Sequence, residues 1–253
     1  MDTHAHLQWE SFNYDRPDVI RRAADAGVFK IVNIGYDLHG SEGALRLADS
    51  YDAVYAAVGV HPHNAKTVNA SILKQLEKLS RCTKVVAIGE IGLDFYRSLS
   101  PQDSQRDAFQ SQLSLAKERG LPVVIHVREA YQETYDLLSK YAGEVQGILH
   151  CWSGSTEMAR RYLDLGFHIS IAGPVTYRNA PKLVDVVTKL PIDRLVVETD
   201  SPWLAPQAHR GHRNEPSFLP EVVERIASLR GIAVDDLAKQ TTENACRLLN
   251  MND

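Results

Sequence analysis

Six side chains in this sequence have the chemistry of a metal centre: His4, His6, Glu90, His126, His150 and Asp200. His4-Ala5-His6 is a short chelate, because side chains two apart on a strand point the same way. Glu90 and Asp200 each follow a β-rich run, and His126 and His150 each end one. Taken singly, an HxH pair or a lone histidine reads equally well as a buried, hydrogen-bonded residue. Taken together, four imidazoles and two carboxylates are too many for one open catalytic zinc, which takes three protein ligands. They suit two divalent ions about 3.5–4 Å apart, bridged by a carboxylate. Glu90 is the natural bridge. His4, His6, Glu90 and Asp200 would hold the first ion, and Glu90, His126 and His150 the second. Donors of this kind accept Mg²⁺, Mn²⁺ or Zn²⁺, so the sequence leaves the metal open. The chemistry they point to is hydrolysis by water acidified at the metals.

Residues almost 200 apart meet only if the fold gathers them. Eight β-rich runs fall at Asp2–His6, Phe29–Ile34, Ala53–Val58, Lys84–Ile88, Pro122–His126, Val145–His150, Phe167–Ile171 and Arg194–Glu198. Helix-like segments with apolar 3.6-residue spacing separate them, and two more follow at Pro220–Leu229 and Val234–Leu249. Alternating elements imply parallel strands with crossover helices. Eight such units predict an α/β fold, a TIM (β/α)8 barrel, as a single domain over residues 1–253 with its metal site at the C-terminal rim of the strands. An open doubly wound sheet also alternates, but no GxGxxG follows the first run. The strand period agrees with the barrel. Glu90 is in phase with Ile88, His126 with Val124 and His150 with Ile148, so aliphatic layers would lie beneath the ligands.

The chain has 253 residues, 28 basic and 32 acidic, for a formal charge of −4. That excludes a broad basic face for nucleic acid. It does not exclude a nucleic-acid substrate, because two divalent ions would concentrate positive charge at the barrel mouth. Three cysteines without a CxxC pair suggest a reducing compartment. The first residues do not read as a signal peptide and the apolar runs are short, so a cytoplasmic protein with no membrane span is expected. A monomer is the simplest expectation.

At its ligand positions the chain resembles the TatD family of metal-dependent hydrolases. The resemblance rests on Asp2-Thr3-His4-Ala5-His6-Leu7, Gly59-Val60-His61-Pro62-His63, Gly89-Glu90-Ile91-Gly92-Leu93-Asp94-Phe95-Tyr96 and Val124-Ile125-His126-Val127-Arg128. It continues in His150-Cys151-Trp152-Ser153-Gly154, Glu198-Thr199-Asp200-Ser201-Pro202 and Arg213-Asn214-Glu215-Pro216. It implies a divalent-metal deoxyribonuclease or phosphodiesterase degrading DNA, single-stranded or from 3′ ends. It implies the same six ligands, with His61 and His63 on the substrate side. One departure is at the start, where only Met1 precedes Asp2; this puts the first hydrogen bonds of that strand in question.

Supporting roles follow from position. Asp200 would accept a proton from the attacking water or serve as a ligand with no proton-transfer role, and Glu90 would bridge; on the first reading both count as catalytic. Glu198, two residues before Asp200, would hold a ligand histidine or form a buried ion pair. Asp94 and Tyr96 leave the fourth strand's loop with Arg97, where charge and a ring suit a phosphate and a stacked base; equally, Arg97 reads as part of a solvated loop and Asp94 as a group that orients another side chain. Arg128 would reach a phosphate from the rim or form a surface ion pair. Arg213 lies in a long loop after the eighth run, expected to shape a substrate cleft. Trp152 reads as packing, His39 and His168 as structural or exposed, and His209 and His212 as undecided. Two other readings remain. One is a hydrolase of cyclic amides or small esters on the same barrel. Relatives of that kind often place a carboxylated lysine at the end of strand four, where this chain has Glu90. The other is a non-enzymatic metal-binding scaffold, against which the intact ligand set argues.

Overall fold

Each strand pairs in parallel with the next in chain order, and a helix follows every strand. The computed structural model describes residues 1–251. The strands are β1 (Asp2–Ala5), β2 (Ile31–Ile34), β3 (Val54–Val58), β4 (Val85–Asp94), β5 (Val123–Arg128), β6 (Gly147–Leu149), β7 (His168–Ile171) and β8 (Leu195–Val197). The sheet order is β1-β2-β3-β4-β5-β6-β7-β8. Helices α1 (Arg16–Asp25), α2 (Leu38–Ser50), α3 (Ala70–Leu79), α4 (Gln102–Arg119), α5 (Tyr131–Ser139), α6 (Thr156–Asp164) and α7 (Pro181–Lys189) cross over between them. Helices α8 (Leu219–Arg230) and α9 (Val234–Leu248) follow β8. This is the TIM barrel that the alternation implied.

Local chemistry sets the helix ends. Asp37, Asn69 and Ser155 cap α2, α3 and α6 by accepting backbone N–H groups of the first turn. Gly120 and Gly231 end α4 and α8 in the left-handed conformation that glycine adopts at least cost. The barrel interior is filled from the strands by Val32, Ile34, Ala57, Ala87, Val124, Ile148 and Val196. A larger apolar layer lies between strands and helices, where Leu113, Leu138, Tyr162 and Val222 pack on the outward faces of the sheet. Among the described residues no helix is long and apolar enough to cross a membrane.

The seam between β1 and β8 is closed differently. It has no regular ladder, only an isolated bridge between Ala5 and Ser201. Side chains complete it. The buried Asp2 carboxylate accepts from the Thr199 N–H at 3.0 Å and the Thr199 hydroxyl at 2.6 Å, and the Thr3 hydroxyl donates to the Val197 carbonyl at 3.0 Å. The Asp2 N–H donates to the Lys30 carbonyl at 2.9 Å, so the first hydrogen bond of β1 is made.

Strand β4 is longer than the expected Lys84–Ile88, running through Glu90 to Asp94. Its two glycines serve close strand contact. A Cβ on Gly89 would lie 2.7 Å from the Val124 side chain, and one on Gly92, at φ +139°, would lie 2.0 Å from the His126 carbonyl oxygen. The register between β4 and β5 shifts between Ile88 and Ile91, which carries Glu90 inward over the barrel mouth.

Candidate metal centre

The six expected ligands converge. On one side, His4 Nε2 and His6 Nε2 are 3.0 Å apart. Glu90 Oε2 lies 3.5 and 3.8 Å from them, and Asp200 Oδ1 lies 3.7 Å from each. On the other side, Glu90 Oε1 is 3.0 Å from His126 Nδ1 and 2.9 Å from His150 Nε2, and those two nitrogens are 3.2 Å apart. Donors about 2.1 Å from one tetrahedral metal are about 3.4 Å from each other. Both groups match that spacing, so the residues could hold two ions, with Glu90 offering one oxygen to each side. The second group has three donors, which in a tetrahedral site leaves one position for water or substrate, whereas the first has four and would admit water only by expanding to five-coordinate.

The rings are oriented from behind. His6 Nδ1 donates to the Ile34 carbonyl at 2.9 Å, which leaves the Nε2 lone pair facing the cluster. His150 Nδ1 is 3.3 Å from Glu198 Oε1, and the same oxygen accepts the Cys151 N–H at 2.8 Å. His126 Nε2 is 3.2 Å from Asp94 Oδ2. His4 stacks on His150 with centroids 4.0 Å apart, and its Nδ1 is buried without a hydrogen-bond partner.

Burial opposes every charge here, and the neighbours decide which groups carry one. Burial alone would raise the Glu90 carboxyl, but His150, His61 and His126 outweigh it and hold Glu90 well below the usual range. Burial would lower His150, but Glu90 and Glu198 raise it well above an ordinary imidazole. His6 is pushed down to about 3 by burial and then by His4, and His61 to about 4, chiefly by burial. Asp200 goes the other way: burial, with Glu198 and Glu90 adding to it against His150, raises it well above the usual carboxylate range. Asp200 is thus the cluster's readiest carboxyl to take a proton.

The expected substrate residues divide. His61 reaches the centre, its Nε2 3.3 Å from Glu90 Oε1, while its Nδ1 accepts the His63 N–H at 3.0 Å. With Nδ1 accepting, the neutral ring carries its proton on Nε2, the nitrogen nearer Glu90. His63 Nε2 sits 2.8 Å from Asp94 Oδ2 at the edge of the mouth. Asp94 is buried, with one oxygen facing His63 and His126 and the other accepting the Arg97 N–H at 2.7 Å. It holds two histidines and does not face solvent. Tyr96 and Arg128 are exposed on the rim, the guanidinium 4.6 Å above the ring. Arg213 is not brought to the centre. Its guanidinium makes two hydrogen bonds to Asp15, at 2.8 and 2.7 Å, and lies over Phe12.

Trp152 is buried as packing, against Tyr131 and Tyr162. His168 is buried in β7, and His209 stacks on Phe218 and pairs with Glu221.

Sequence reasoning missed the residues that hold the site's backbone. Gln105 and Gln112 lie seven apart on α4, both buried. Gln105 brackets the Asp94 backbone, accepting its N–H at 2.8 Å and donating to its carbonyl at 3.1 Å. Gln112 does the same at Val60, at 2.7 and 3.1 Å, next to His61. The available signal was two amides on the apolar face of a helix, where a side chain must find partners.

Comparison with known proteins follows the same lines. The family described as TatD related DNase matches residues 1–250. An uncharacterized metal-dependent hydrolase of Bacillus subtilis, YabD, is 44% identical over 252 residues, covering 99% of both chains. The 3′-5′ ssDNA/RNA exonuclease TatD of Erwinia tasmaniensis is 38% identical over 257 residues, again covering 99% of both. The crystal structure of YJJV, a TatD homolog from Escherichia coli, superposes with a TM-score of 0.93 at 34% identity, covering 98% of this chain and 97% of that one.

Proposed function

The chain belongs to the TatD family of metal-dependent hydrolases, and from that premise we propose that it hydrolyses phosphodiesters with two divalent ions, removing nucleotides from 3′ ends of single-stranded DNA. The observation that carries this reading is the division of Glu90, with Oε2 facing His4 and His6 and Oε1 facing His126 and His150. A carboxylate shared in this way suits an in-line displacement, in which attacking and leaving oxygens both need charge neutralised. Exonuclease activity on single strands is what the Erwinia relative is named for.

His4, His6, Glu90 and Asp200 would hold one ion, and Glu90, His126 and His150 the other. Bound there, Mg²⁺, Mn²⁺ or Zn²⁺ supplies charge to the phosphate oxygens and lowers the pKa of a water. The protein's own residues do the rest. Asp200, whose Oδ1 lies 3.7 Å from both His4 Nε2 and His6 Nε2 at the mouth, takes the proton from the attacking water. Glu198 fixes the His150 ring, and Asp94 fixes His126 and His63. His61 and His63 face the substrate, and the Tyr96–Arg128 pair offers a ring and a charge to the strand at the rim. We place this activity in the cytoplasm.

The test is digestion of 5′-labelled single-stranded DNA and RNA with Mg²⁺, Mn²⁺, Zn²⁺ or a chelator. A ladder shortening from the 3′ end of DNA, lost with chelator, is expected. No cleavage of any phosphodiester by protein with both ions bound would overturn the reading. Turnover of hydantoins or lactones in place of DNA would favour the cyclic-amide alternative.

A further inference from the structure

We propose that a cleft beside the first ion's ligands is a nucleotide subsite, holding the residue of the strand that adjoins the scissile phosphate. The inference rests on the phosphodiesterase reading above and adds a location to it. The cleft, of about 480 Å³, lies between the turn after β1 and the start of α2. It has three properties that a nucleotide needs.

The first is a wall of rings continuous with the centre. Trp203 and Tyr36 stand 5.0 and 6.0 Å from the His6 ring, centroid to centroid. Trp9 bridges them, 5.2 Å from Tyr36 and 5.0 Å from Trp203. Of these, Trp9 and Tyr36 line the cleft. A base stacks on such rings regardless of its identity, as a sequence-tolerant enzyme requires.

The second is room made by glycine. Gly40 and Gly43 are one turn apart on the α2 face that lines the cleft. A Cβ on Gly40 would meet the Tyr36 ring at 3.0 Å, and one on Gly43 would meet Gln8 at 3.3 Å. Their hydrogens let Tyr36 and Gln8 lie flat against the helix and keep the cleft open.

The third is unspent polarity. Gln8 donates to the Ile34 carbonyl at 2.6 Å, which leaves its Oε1 buried and without a partner. So enclosed, that acceptor meets a base N–H or sugar hydroxyl only if the Gln8 amide turns toward the cleft its residue lines. Arg46, exposed at the far side, has no ion pair among the described residues and suits the next phosphate. Glu10 is the one acidic group lining the cleft, on the opposite lip.

The experiment compares dinucleotide with hexanucleotide substrates in the wild type, Arg46→Glu and Trp9→Phe. The hexanucleotide-to-dinucleotide ratio of kcat/KM is expected to fall about tenfold in Arg46→Glu, a change at an exposed position that leaves the fold intact. Independently of turnover, oligothymidylate with a cleavage-resistant phosphorothioate 3′ linkage, titrated onto the metal-loaded protein, is expected to quench tryptophan fluorescence in the wild type and much less in Trp9→Phe. An unchanged ratio with active wild type, or no quenching by oligothymidylate, overturns the subsite. Absence of cleavage of both substrates overturns the phosphodiesterase reading itself, and the two failures are thereby distinguished.

Discussion

His150 Nδ1 faces Glu198 Oε1 at 3.3 Å, on the side of the ring away from Glu90. Glu198 is fully buried, and its partners are the ring and the Cys151 N–H. Glu198→Gln keeps the shape but removes the charge that favours an Nδ1 proton. The expected result is a 10–100-fold, order-of-magnitude weaker second ion, read by competition with a chromogenic chelator. Activity should return at high metal concentration. Unchanged affinity would mean that Glu198 only props the Cys151 backbone.

Asp200→Asn separates binding from proton transfer. If Asp200 is the base, kcat falls roughly 10²–10⁴-fold in protein that elemental analysis shows to hold both ions. Near-wild-type turnover at full occupancy would leave Asp200 as a ligand alone.

Chelation should abolish hydrolysis and lower stability. The ions bind the folded chain, so metal at 100 times its Kd contributes about 2.7 kcal/mol. Thermal melts at rising metal concentration should move upward together with activity. A melting temperature indifferent to metal would contradict a site built from six converging side chains.

Arg213 and Asp15 form a bidentate pair, partly exposed. A double-mutant cycle with Arg213→Ala and Asp15→Ala should give a coupling of about 0.5–1 kcal/mol by urea unfolding. If Arg213 bound the strand instead, its loss would raise KM with no coupling to Asp15.

His168 makes stability depend on pH. Burial, then Arg194 and Arg247, push its imidazole down to about 4 against a smaller pull from Asp193. The unfolded chain takes up that proton near pH 6.5, and the folded chain refuses it. Stability is therefore full above pH 6.5 and falls as pH drops from there toward 4, by about 3 kcal/mol at most. Metal-free His168→Leu should show a shallower decline between pH 7 and 4.5 than metal-free wild type, in which His6 and His61 add to the slope. Equal slopes would remove His168 from the account.

The convergence of the six side chains was legible because a barrel turns sequence position into place: a histidine or carboxylate at a strand's C-terminal end has one rim to go to. Strand β4 shows where that logic thinned. Gly89 and Gly92 lie beyond the expected run Lys84–Ile88, and only the closeness of β5 reveals them as strand residues. With β4 cut short, Asp94 reads equally as a phosphate contact or as a group that orients another, and its place as a buried strand end engaged by His63 and His126 matches the second. The pairing of Arg213 was not legible because its partner, Asp15, is 198 residues away, and no local pattern announces such a pair. Gln105 and Gln112 escaped notice because an amide that serves backbone looks like any polar residue on a helix.

The seam between β1 and β8 divides the two halves of the cluster. Residues 90 to 150 alone supply Glu90, His126 and His150, whereas the other half draws on both His4 and Asp200. Bringing those two together closes a loop of nearly the whole chain, so that half exists only where the barrel is shut. Any partly folded form in which β1 and β8 are apart lacks it.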